Sequence, residues 1–322
     1  SNSRFAAISA VRLLNKILSK VEQQILQQIY PGASLALYTR GEWQEYYLGE
    51  SNPERGEKTQ AGLVYDLASV SKVVGVGTIL AVLFHEEKLD LDAPLTQYYP
   101  AFHDNSVTVG QLATHTSGLD PFIPNRDALN AVELKEALNH LKVLDNKHFR
   151  YTDVNFLLLG FMVEEIFHSA LSDIFERKIF QPWGMKETAF GPVAQAVPTV
   201  RGVKEGVVHD PKAHVLGRHA GSAGLFSTVR DLELFLEHYL QDNFAATLTK
   251  NFSKEIGKTR SLAWDLDKEW LQHTGYTGTF IMFNRLQQKA VIFLSNRTYE
   301  KDERAQWILD RNELMDLIKQ NL

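Results

Sequence analysis

The sequence predicts an α+β fold in which one antiparallel sheet is built from both ends of the chain and is flanked by helices. Two strand-like runs lie near the beginning, at residues 34–38 and 43–47, and two lie near the end, at 278–284 and 290–295. The residues between these pairs have mostly helical and loop-like patterns. Because each face of such a sheet must be covered, we expect the middle of the chain to form a mainly helical inserted region.

The 322 residues are expected to form a single unit, because no repeat, low-complexity tract or linker divides them. Residues 1–84 and 218–322 are assigned to the α/β part that contains the antiparallel sheet. Residues 85–217 are assigned to the mainly helical inserted part. A cleft between two such parts is a common place for a pocket.

Each element has its own signal in the sequence. Apolar residues recur at helical spacing over residues 4–29, and Pro31-Gly32 end that helix. Arg40-Gly41 separate the first two strands, and a polar turn at 285–289 joins the last two into a hairpin. Another helix is expected to start near Ser69. The same periodicity predicts helices at residues 109–115, 128–141, 155–167, 170–180, 229–240 and 304–318.

The composition excludes several classes of protein. The chain contains no cysteine, so disulfides, thiolate catalysis and cysteine-ligated metal sites are ruled out. A net charge of -5 and the lack of a basic stretch argue against nucleic acid as a partner. The longest apolar run, residues 73–84, is too short to cross a bilayer and is expected to be a buried helix. We therefore expect no membrane segment in this sequence. We also expect no cofactor.

A serine and a lysine stand three residues apart where this apolar helix begins. In Asp66-Leu67-Ala68-Ser69-Val70-Ser71-Lys72-Val73, positions 69 and 72 share one helical face, so the two side chains can touch. A serine hydroxyl needs a neighbouring base to act as a nucleophile, and a partly buried lysine with a depressed pKa can be that base. The N-terminus of the helix adds free backbone N–H groups. The alternative interpretation is an N-cap serine beside a solvated lysine.

A second candidate element is Tyr151-Thr152-Asp153, followed by Val154-Asn155. The hydroxyl of Tyr151 can accept the serine proton as tyrosinate, or relay it when paired with a lysine. Either Asp153 or Asn155 can hold Lys72 by a hydrogen bond. Tyr151 also fits an ordinary half-buried aromatic residue, and Thr152-Asp153, Asp153 in particular, fit a cap of the helix that follows from Asn155. The catalytic and structural roles can coexist.

Small residues mark a third element, His273-Thr274-Gly275-Tyr276-Thr277-Gly278-Thr279, which leads into a predicted strand. Glycine at a strand edge lets a substrate backbone lie close. The backbone N–H of Tyr276 is expected to join that of Ser69 as an oxyanion hole. His273 would flank the site as a polar contact or a weak cation. The alternative is a glycine-rich turn with an exposed histidine.

The three elements, in this order, resemble the superfamily of serine β-lactamases and penicillin-binding proteins. The resemblance is closest to its class C branch, with the related esterases and D-amino-acid peptidases. It extends over roughly residues 32–298 and includes further segments at 111–119, 151–160, 220–228 and 294–297. It implies the β-lactamase/DD-peptidase-like fold and a single catalytic unit.

The resemblance also implies roles for individual residues. Ser69 is the acylated nucleophile, Lys72 is its base or proton shuttle, and Tyr151 is the second proton-transfer group. Asp153 stands where the family has Asn, Ser or Asp, and residues 273–275 replace the family's Lys-Thr-Gly. The expected substrate-binding residues are Asp153, Asn155, His273, Thr274, Gly275 and Tyr276. The implied activity is that of a serine hydrolase of the SxxK type, which works through an acyl-enzyme and needs no metal.

The main departure from the family is His273. In β-lactamases the lysine of Lys-Thr-Gly helps to hold the carboxylate of the drug, whereas a histidine is shorter and largely neutral near pH 7. We therefore predict weak recognition of anionic β-lactams, and expect esterase, D-amino-acid peptidase or DD-carboxypeptidase activity rather than strong β-lactamase activity. One alternative is a penicillin-binding or sensor protein that is acylated but barely turns over. Another, a degenerate interaction protein, conflicts with the intact Ser69, Lys72 and Tyr151.

The expected partner is a small molecule or peptide with an ester, amide or β-lactam bond, and cell-wall fragments are among the candidates. The location is open between the cytoplasm and export, because a signal or anchor could have been removed ahead of Ser1-Asn2.

Several remaining polar and aromatic residues are expected to be structural. His209, Asp210, His214 and His219 allow a metal site, but their spacing fits no known ligand pattern, so a polar loop at the cleft edge is preferred. In that loop His209 and Asp210 would hydrogen-bond the backbone. His115 is expected to support the helical region. The tryptophans are expected to pack in the core, with Trp264 and Trp270 as candidates for lining the cleft.

Overall fold

A computed structural model describes residues 2–203 and 205–322, with side chains from Arg4 onward. Its strands are β1 (Gly32–Thr39), β2 (Glu42–Asn52), β3 (Glu57–Lys58), β4 (Tyr65–Asp66), β5 (Ala189–Phe190), β6 (Leu225–Ser227), β7 (Asp265–Asp267), β8 (Trp270–Gly275), β9 (Thr279–Asn284) and β10 (Lys289–Ser295). The large sheet has the order β3-β2-β1-β10-β9-β8-β7, and β4, β6 and β5 form a small sheet. Because β1 pairs antiparallel with β10, the predicted sheet from both chain ends is confirmed.

Each predicted helix has a counterpart, and the ends differ by no more than three residues once the 3₁₀ and π turns described below are counted. The short helices Leu95–Tyr98 and Pro211–Leu216 were not predicted. The helices are α1 (Asn2–Leu26), α2 (Thr78–His85), α3 (Leu95–Tyr98), α4 (Val109–Ala113), α5 (Ala131–Asn139), α6 (Asp153–Phe167), α7 (Leu171–Phe175), α8 (Pro211–Leu216), α9 (Val229–Gln241) and α10 (Arg304–Asn321). A 3₁₀ turn at Ala68–Val70 and a π turn at Val73–Gly77 precede α2. A second π turn, Glu176–Phe180, continues α7.

The large sheet is buried on both faces, and β9 shows how. Phe280 and Met282 pack into the core under α1 and α10, together with Ile17 and Trp307. Ile281, which alternates with them along the strand, belongs to the larger core on the opposite face, where α2, α6 and α9 also pack. Covering of the sheet by the first and last helices is therefore confirmed, and the two cores lie on opposite faces of the sheet.

The sequence analysis missed β7 and β8. It placed the residues from His273 onward in a glycine-rich segment ahead of a strand, whereas the structure pairs β8 with both β7 and β9. The polar residues Gln272 and Thr274 on one face of β8 hid its strand pattern. Trp264 and Trp270 lie in the two cores, so neither lines the cleft.

One stretch of the described residues, Ala68–His85, has the length and hydropathy of a membrane-crossing helix, but 78% of it is buried inside the protein. This burial agrees with the expected core helix. Helices α3 to α8 lie in the middle of the chain, as expected for the inserted part. The boundaries of that part, at residues 85 and 217, stay a prediction.

Candidate active site

The three sequence elements meet at one cleft of about 1010 Å³. Ser69, Tyr151 and Asp153 line it from one side, and residues 273–276 line it from β8 and the following turn. Asn155 lies elsewhere: it is fully buried, it accepts a hydrogen bond from the hydroxyl of Ser117 at 2.6 Å, and its amide nitrogen lies 2.9 Å from Nδ1 of His115. The structure therefore places Asn155 beneath the cleft wall.

A buried carboxylate holds the backbone that carries Ser69. One oxygen of Asp66 accepts the N–H of Ala68 at 2.8 Å, and the other accepts the N–H of His209 at 2.8 Å. Ala68 has a φ of 49°, a left-handed conformation that costs of order 1–3 kcal/mol outside glycine. Burial raises the pKa of Asp66 to about 6. The strained turn before Ser69 is thus held by contacts that reach across the cleft edge.

Lys72 is fully buried, and its ammonium group has three acceptors. They are Oγ of Ser69 at 2.7 Å, Oδ1 of Asp153 at 2.7 Å and the carbonyl oxygen of Ser222 at 3.0 Å. Burial alone would lower the pKa of Lys72, but the charge of Asp153 outweighs it, with a smaller contribution from Tyr151, and raises that pKa above its ordinary value. The expected depressed pKa is therefore wrong, because Lys72 is held as a cation by a direct ion pair.

Asp153 lies between two lysines. Its Oδ2 is 3.4 Å from Nζ of Lys212, opposite the Lys72 contact. Burial raises the pKa of Asp153, but the two lysines outweigh it and lower that pKa to about 2. The expected capping role belongs to Thr152, which accepts the N–H of Val154 at the start of α6. The sequence analysis missed Lys212, although Asp210-Pro211 mark the start of its helix, α8.

Two buried histidines flank Tyr151. The ring of His115 is 4.6 Å from the Tyr151 ring, and that of His273 is 6.0 Å away. Burial lowers the pKa of His273 to about 3, and the positive charges of Lys72 and Arg260 act in the same direction. The interpretation of His273 as a weak cation is therefore wrong, since the imidazole is neutral at physiological pH. His115 supports α6 through Asn155, as expected.

The end of β8 lies against the turn that carries Ser69. Thr277 lies in the turn between β8 and β9, and its hydroxyl donates to the Asp66 carbonyl oxygen. Thr279, the first residue of β9, donates its hydroxyl to the Leu67 carbonyl oxygen. In the described residues, the backbone N–H groups of Ser69 and Tyr276 make no hydrogen bond within the protein. Both residues line the cleft. The oxyanion hole stays a prediction that this arrangement can accommodate.

Substitution of Gly275 by alanine tests this close approach. The added Cβ would lie 2.7 Å from the Leu67 carbonyl oxygen and would overlap Oγ1 of Thr279, so β8 must move away from Ser69. Since a misplacement of ~1 Å can cost about 100-fold in rate, we expect a loss of that order in the rate of Ser69 acylation. Intact-mass spectrometry with an activated ester measures it. Acylation at the wild-type rate would contradict the tight packing.

The sequence analysis also missed a group of basic residues at the cleft. Arg304 and Arg311 project from α10, and Arg297 lies on the segment before that helix. Arg311 reaches Oγ1 of Thr274 at 3.3 Å, and the Arg304 guanidinium lies 5.3 Å from the centre of the Tyr276 ring. The spacing of Arg304, Trp307 and Arg311, at i, i+3 and i+7, is the signal that could have placed them on one helical face.

The polar loop at the cleft edge has separate partners for its side chains. Asp210 accepts the N–H of Ala213, as expected for a residue that hydrogen-bonds the backbone. Nδ1 of His209 lies 3.1 Å from Oγ1 of Thr199, and His219 pairs with Glu164 at 2.6 Å. Within residues 2–203 and 205–322, no group of three or more His, Cys, Asp or Glu side chains is arranged to hold a metal ion.

The two buried histidines predict an acid-sensitive fold. Burial lowers the pKa of His115 and His273, so the unfolded chain, with histidine pKa values near 6.5, binds their protons first. The stability that depends on their neutral rings is present above about pH 6.5 and is lost on acidification, for His273 as the pH falls through its pKa of about 3. Asp66, whose pKa is raised, opposes this loss between about pH 6 and 4. We expect the urea midpoint of His273→Asn to fall less on acidification than that of wild type. An equal fall in the two proteins would contradict a neutral, buried His273 as a source of the acid sensitivity. His148→Asn, at an exposed position, is the control.

Comparisons with known proteins agree with this architecture. A protein from Escherichia coli (strain K12), named "Putative D-alanyl-D-alanine carboxypeptidase", is 26% identical over 88% of this chain and 82% of its own length. A "Beta-Lactamase/D-Alanine Carboxypeptidase" from Pseudomonas syringae superposes with a TM-score of 0.76 at 18% identity, covering 96% of this chain and 99% of that one. EstCE1, "a hydrolase with promiscuous acyltransferase activity", gives 0.75 at 17% identity, covering 97% and 99%.

The two solved structures show a shared fold, and the predicted β-lactamase/DD-peptidase-like architecture is thereby confirmed. The family itself is shown by the match of residues 18–314 to the model of the Beta-lactamase family, which spans both chain ends and the inserted region. The chain therefore belongs to the beta-lactamase family of serine hydrolases.

Proposed function

We propose that this hydrolase forms an acyl-enzyme on Ser69 and removes the last residue from a D-amino-acid peptide that ends in a free carboxylate. The observation that carries the proposal is the pair Arg304 and Arg311. Both line the Ser69 cleft, and in the described part of the chain neither guanidinium forms an ion pair with a carboxylate. Two such charges at the mouth of a site favour an anionic group on the substrate.

The position of these arginines fits the end of a peptide. Arg311 lies 3.3 Å from Oγ1 of Thr274. Thr274 stands two residues before Tyr276, whose backbone N–H we assign to the oxyanion hole. A substrate carbonyl held between Ser69 and Tyr276 would thus have its terminal carboxylate within reach of α10. Guanidinium groups match carboxylates with two parallel hydrogen bonds. The relatives named as carboxypeptidases support the choice of D-alanyl-D-alanine as the first peptide to test.

The ion pair at Lys72 supports one division of the proton roles. As an ammonium with three acceptors, Lys72 has no lone pair with which to take the Ser69 proton. We assign that step to the phenolic oxygen of Tyr151, as base or as proton relay, with Lys72 as the cation that orients Oγ. Oγ then bonds to the substrate carbonyl carbon, the peptide C–N bond breaks, and Tyr151 passes the proton to the leaving amine. In the second half Tyr151 takes a proton from a water molecule whose oxygen bonds to the ester carbon. The bond from that carbon to Oγ then breaks, and Tyr151 passes the proton to Oγ of Ser69.

The test compares two peptides that both end in D-alanyl-D-alanine, one a free acid and the other its C-terminal amide. We expect kcat/KM for D-alanine release from the acid to exceed that for D-alaninamide release from the amide by about tenfold or more, since a charged hydrogen bond contributes roughly 1.5–3 kcal/mol. Arg304→Gln and Arg311→Gln should reduce this preference. Arg230→Gln, at an exposed position outside the cleft, is the matched control. Equal rates on acid and amide would contradict the proposal.

The weak recognition of anionic β-lactams, expected from His273, stays a prediction, and the arginines bear on it. They supply positive charge at a different place from His273, so we propose that an anionic drug which does bind through them is poorly placed to react. A fluorescent penicillin followed by mass spectrometry separates the alternatives. A transient adduct with steady product release favours the hydrolase, whereas a long-lived adduct and no peptide cleavage favour a penicillin-binding or sensor protein.

A further inference from the structure

Two buried polar atoms at the α10 end of the cleft have no hydrogen-bond partner in the described part of the structure. They are Nη2 of Arg297 and Nε1 of Trp307, and both residues line the cleft. The side chain of Arg297 is only 2% exposed, and its guanidinium is charged at neutral pH. Unpaired buried polar atoms are rare in folded proteins. Because both atoms are donors, what this end of the cleft lacks is an acceptor.

Three guanidinium groups lie together at this end. Arg297 and Arg304 share the ring of Tyr276, and their guanidinium carbons lie 4.6 and 5.3 Å from its centre. Arg311, about two helical turns after Arg304, reaches Oγ1 of Thr274 at 3.3 Å. Burial lowers the pKa of Arg297 to about 10, and the charges of Arg304 and Arg311 act in the same direction. The three positive charges therefore repel one another.

A single carboxylate lies within this group of arginines. Asp302 accepts a hydrogen bond from Nη1 of Arg297 at 2.8 Å and another from the hydroxyl of Tyr276. Within residues 2–203 and 205–322, Arg304 and Arg311 form no ion pair. Three guanidinium groups and one carboxylate leave two positive charges without a counterion. These two charges lie beside the turn whose backbone N–H we assign to the oxyanion hole.

The other carboxylates that line the cleft do not supply the missing charge. Asp316 is exposed and lies more than one turn of α10 beyond the arginines, toward Lys319. The remaining ones already pair with lysines: Asp153 with Lys72 and Lys212, Asp210 with Lys212, Asp265 with Lys258, and Asp267 with Lys319. The two positive charges are therefore available to an anionic substrate.

The terminal carboxylate of a peptide compensates only one of these charges. The two guanidinium groups are anchored at different places, since Arg311 reaches Thr274 whereas Arg304 lies over the Tyr276 ring. A carboxylate that makes two parallel hydrogen bonds with one guanidinium leaves the other guanidinium to water. A leaving residue with a second carboxylate in its side chain can engage both arginines.

We propose that the residue released from the substrate is an acidic D-amino acid, D-glutamate or D-aspartate, whose side-chain carboxylate binds Arg304 while its terminal carboxylate binds Arg311. The second carboxylate brings acceptor oxygens to the end of the cleft where Arg297 has an unpaired donor. The inference deepens the proposed function and rests on it for the chemistry at Ser69. The bonds made and broken are unchanged: the acyl carbon passes from the peptide nitrogen to Oγ and then to water, and the released amine takes the proton carried by Tyr151.

The first experiment compares two peptides with free C-terminal carboxylates, one ending in D-alanyl-D-glutamate and the other in D-alanyl-D-glutamine. Glutamine has the shape of glutamate without its charge, so the pair isolates the second carboxylate. We expect kcat/KM for D-glutamate release to exceed that for D-glutamine release by about tenfold or more at low salt, and the ratio to shrink as salt is added. Equal values would overturn the inference, even if D-alanyl-D-alanine were cleaved in preference to its amide.

Variants of the arginines test the assignment to Arg304. Arg304→Gln should slow D-glutamate release about tenfold more than D-glutamine release, and Arg304→Lys, which keeps the charge, should retain part of the preference. Arg311→Gln should slow both peptides by a similar factor, because both have a terminal carboxylate. Arg230→Gln, at an exposed position outside the cleft, is the control. A preference for D-glutamate that survives in Arg304→Gln would overturn the assignment.

The second experiment needs no turnover. Calorimetry measures the binding of the same two peptides to Ser69→Ala, which cannot form an acyl-enzyme. We expect the D-glutamate peptide to bind about tenfold more tightly than the D-glutamine peptide, and the difference to vanish when Arg304→Gln is added. Tighter binding without cleavage of any peptide by the wild type would contradict the proposed function and support the inference. Equal binding of the two peptides, together with release of D-alanine by the wild type, would overturn the inference and support the proposed function.

Discussion

Replacement of Ser69 by alanine is expected to abolish covalent labelling and to lower turnover by about 10⁴-fold or more, as happens when a nucleophile is removed from a hydrolase. The side chain contributes one hydrogen bond, accepted from Lys72 at 2.7 Å, and is partly exposed in the cleft. Its loss therefore costs little packing. The melting temperature of Ser69→Ala should stay within a few degrees of wild type.

Ser71→Ala is the matched control for this variant. Ser71 stands two residues further along the same segment and is buried, and its hydroxyl accepts the N–H of Leu225 at 3.1 Å. Its removal leaves that N–H without an acceptor, at a cost of roughly 1–3 kcal/mol. Ser71→Ala should therefore be less stable yet still be labelled at Ser69. Full labelling of Ser69→Ala, or labelling that depends on Ser71 instead, would overturn the assignment of the nucleophile.

The parts of this site that could be predicted from the sequence are the parts encoded locally. Ser69 and Lys72 share a helical face by spacing alone, and the 2.7 Å contact between them follows from that spacing. The pairing of β9 with β10 follows from two apolar runs around a polar turn. In each case the interacting residues are close in sequence, so the period of the pattern decides the geometry.

The parts that could not be predicted depend on contacts between distant segments. The pKa of Lys72 rises because Asp153, 81 positions away, lies against it, and a sequence alone does not show that contact. Lys212 and Arg304 are ordinary basic residues in the sequence. They acquire a role only because the fold brings α8 and α10 to the cleft. The neutral state of His273 likewise follows from burial in a strand that polar residues concealed.

Replacement of Lys72 by methionine is expected to lower acylation of Ser69 by about 10³-fold, because the cation that orients Oγ and lies over the Tyr151 ring is removed. Methionine fills the same volume, so the core should remain packed. Asp153 then keeps only Lys212, at 3.4 Å, and its pKa moves up toward the ordinary carboxyl value. Because Asp153 is partly exposed and keeps Lys212, the loss of stability should be smaller than the roughly 3–5 kcal/mol typical of a fully buried pair, and urea unfolding measures it.

The double variant Lys72→Met, Asp153→Asn separates the two consequences. Without the carboxylate no buried charge is left unpaired, so most of the lost stability should return. Activity should not return, because neither side chain supplies the cation. If acylation recovered together with stability, Lys72 would be a structural residue and Tyr151 alone would carry the proton chemistry. Recovery of stability without activity would instead mean that Asp153 is present to hold Lys72 charged, and that the cation itself is what Ser69 and Tyr151 require.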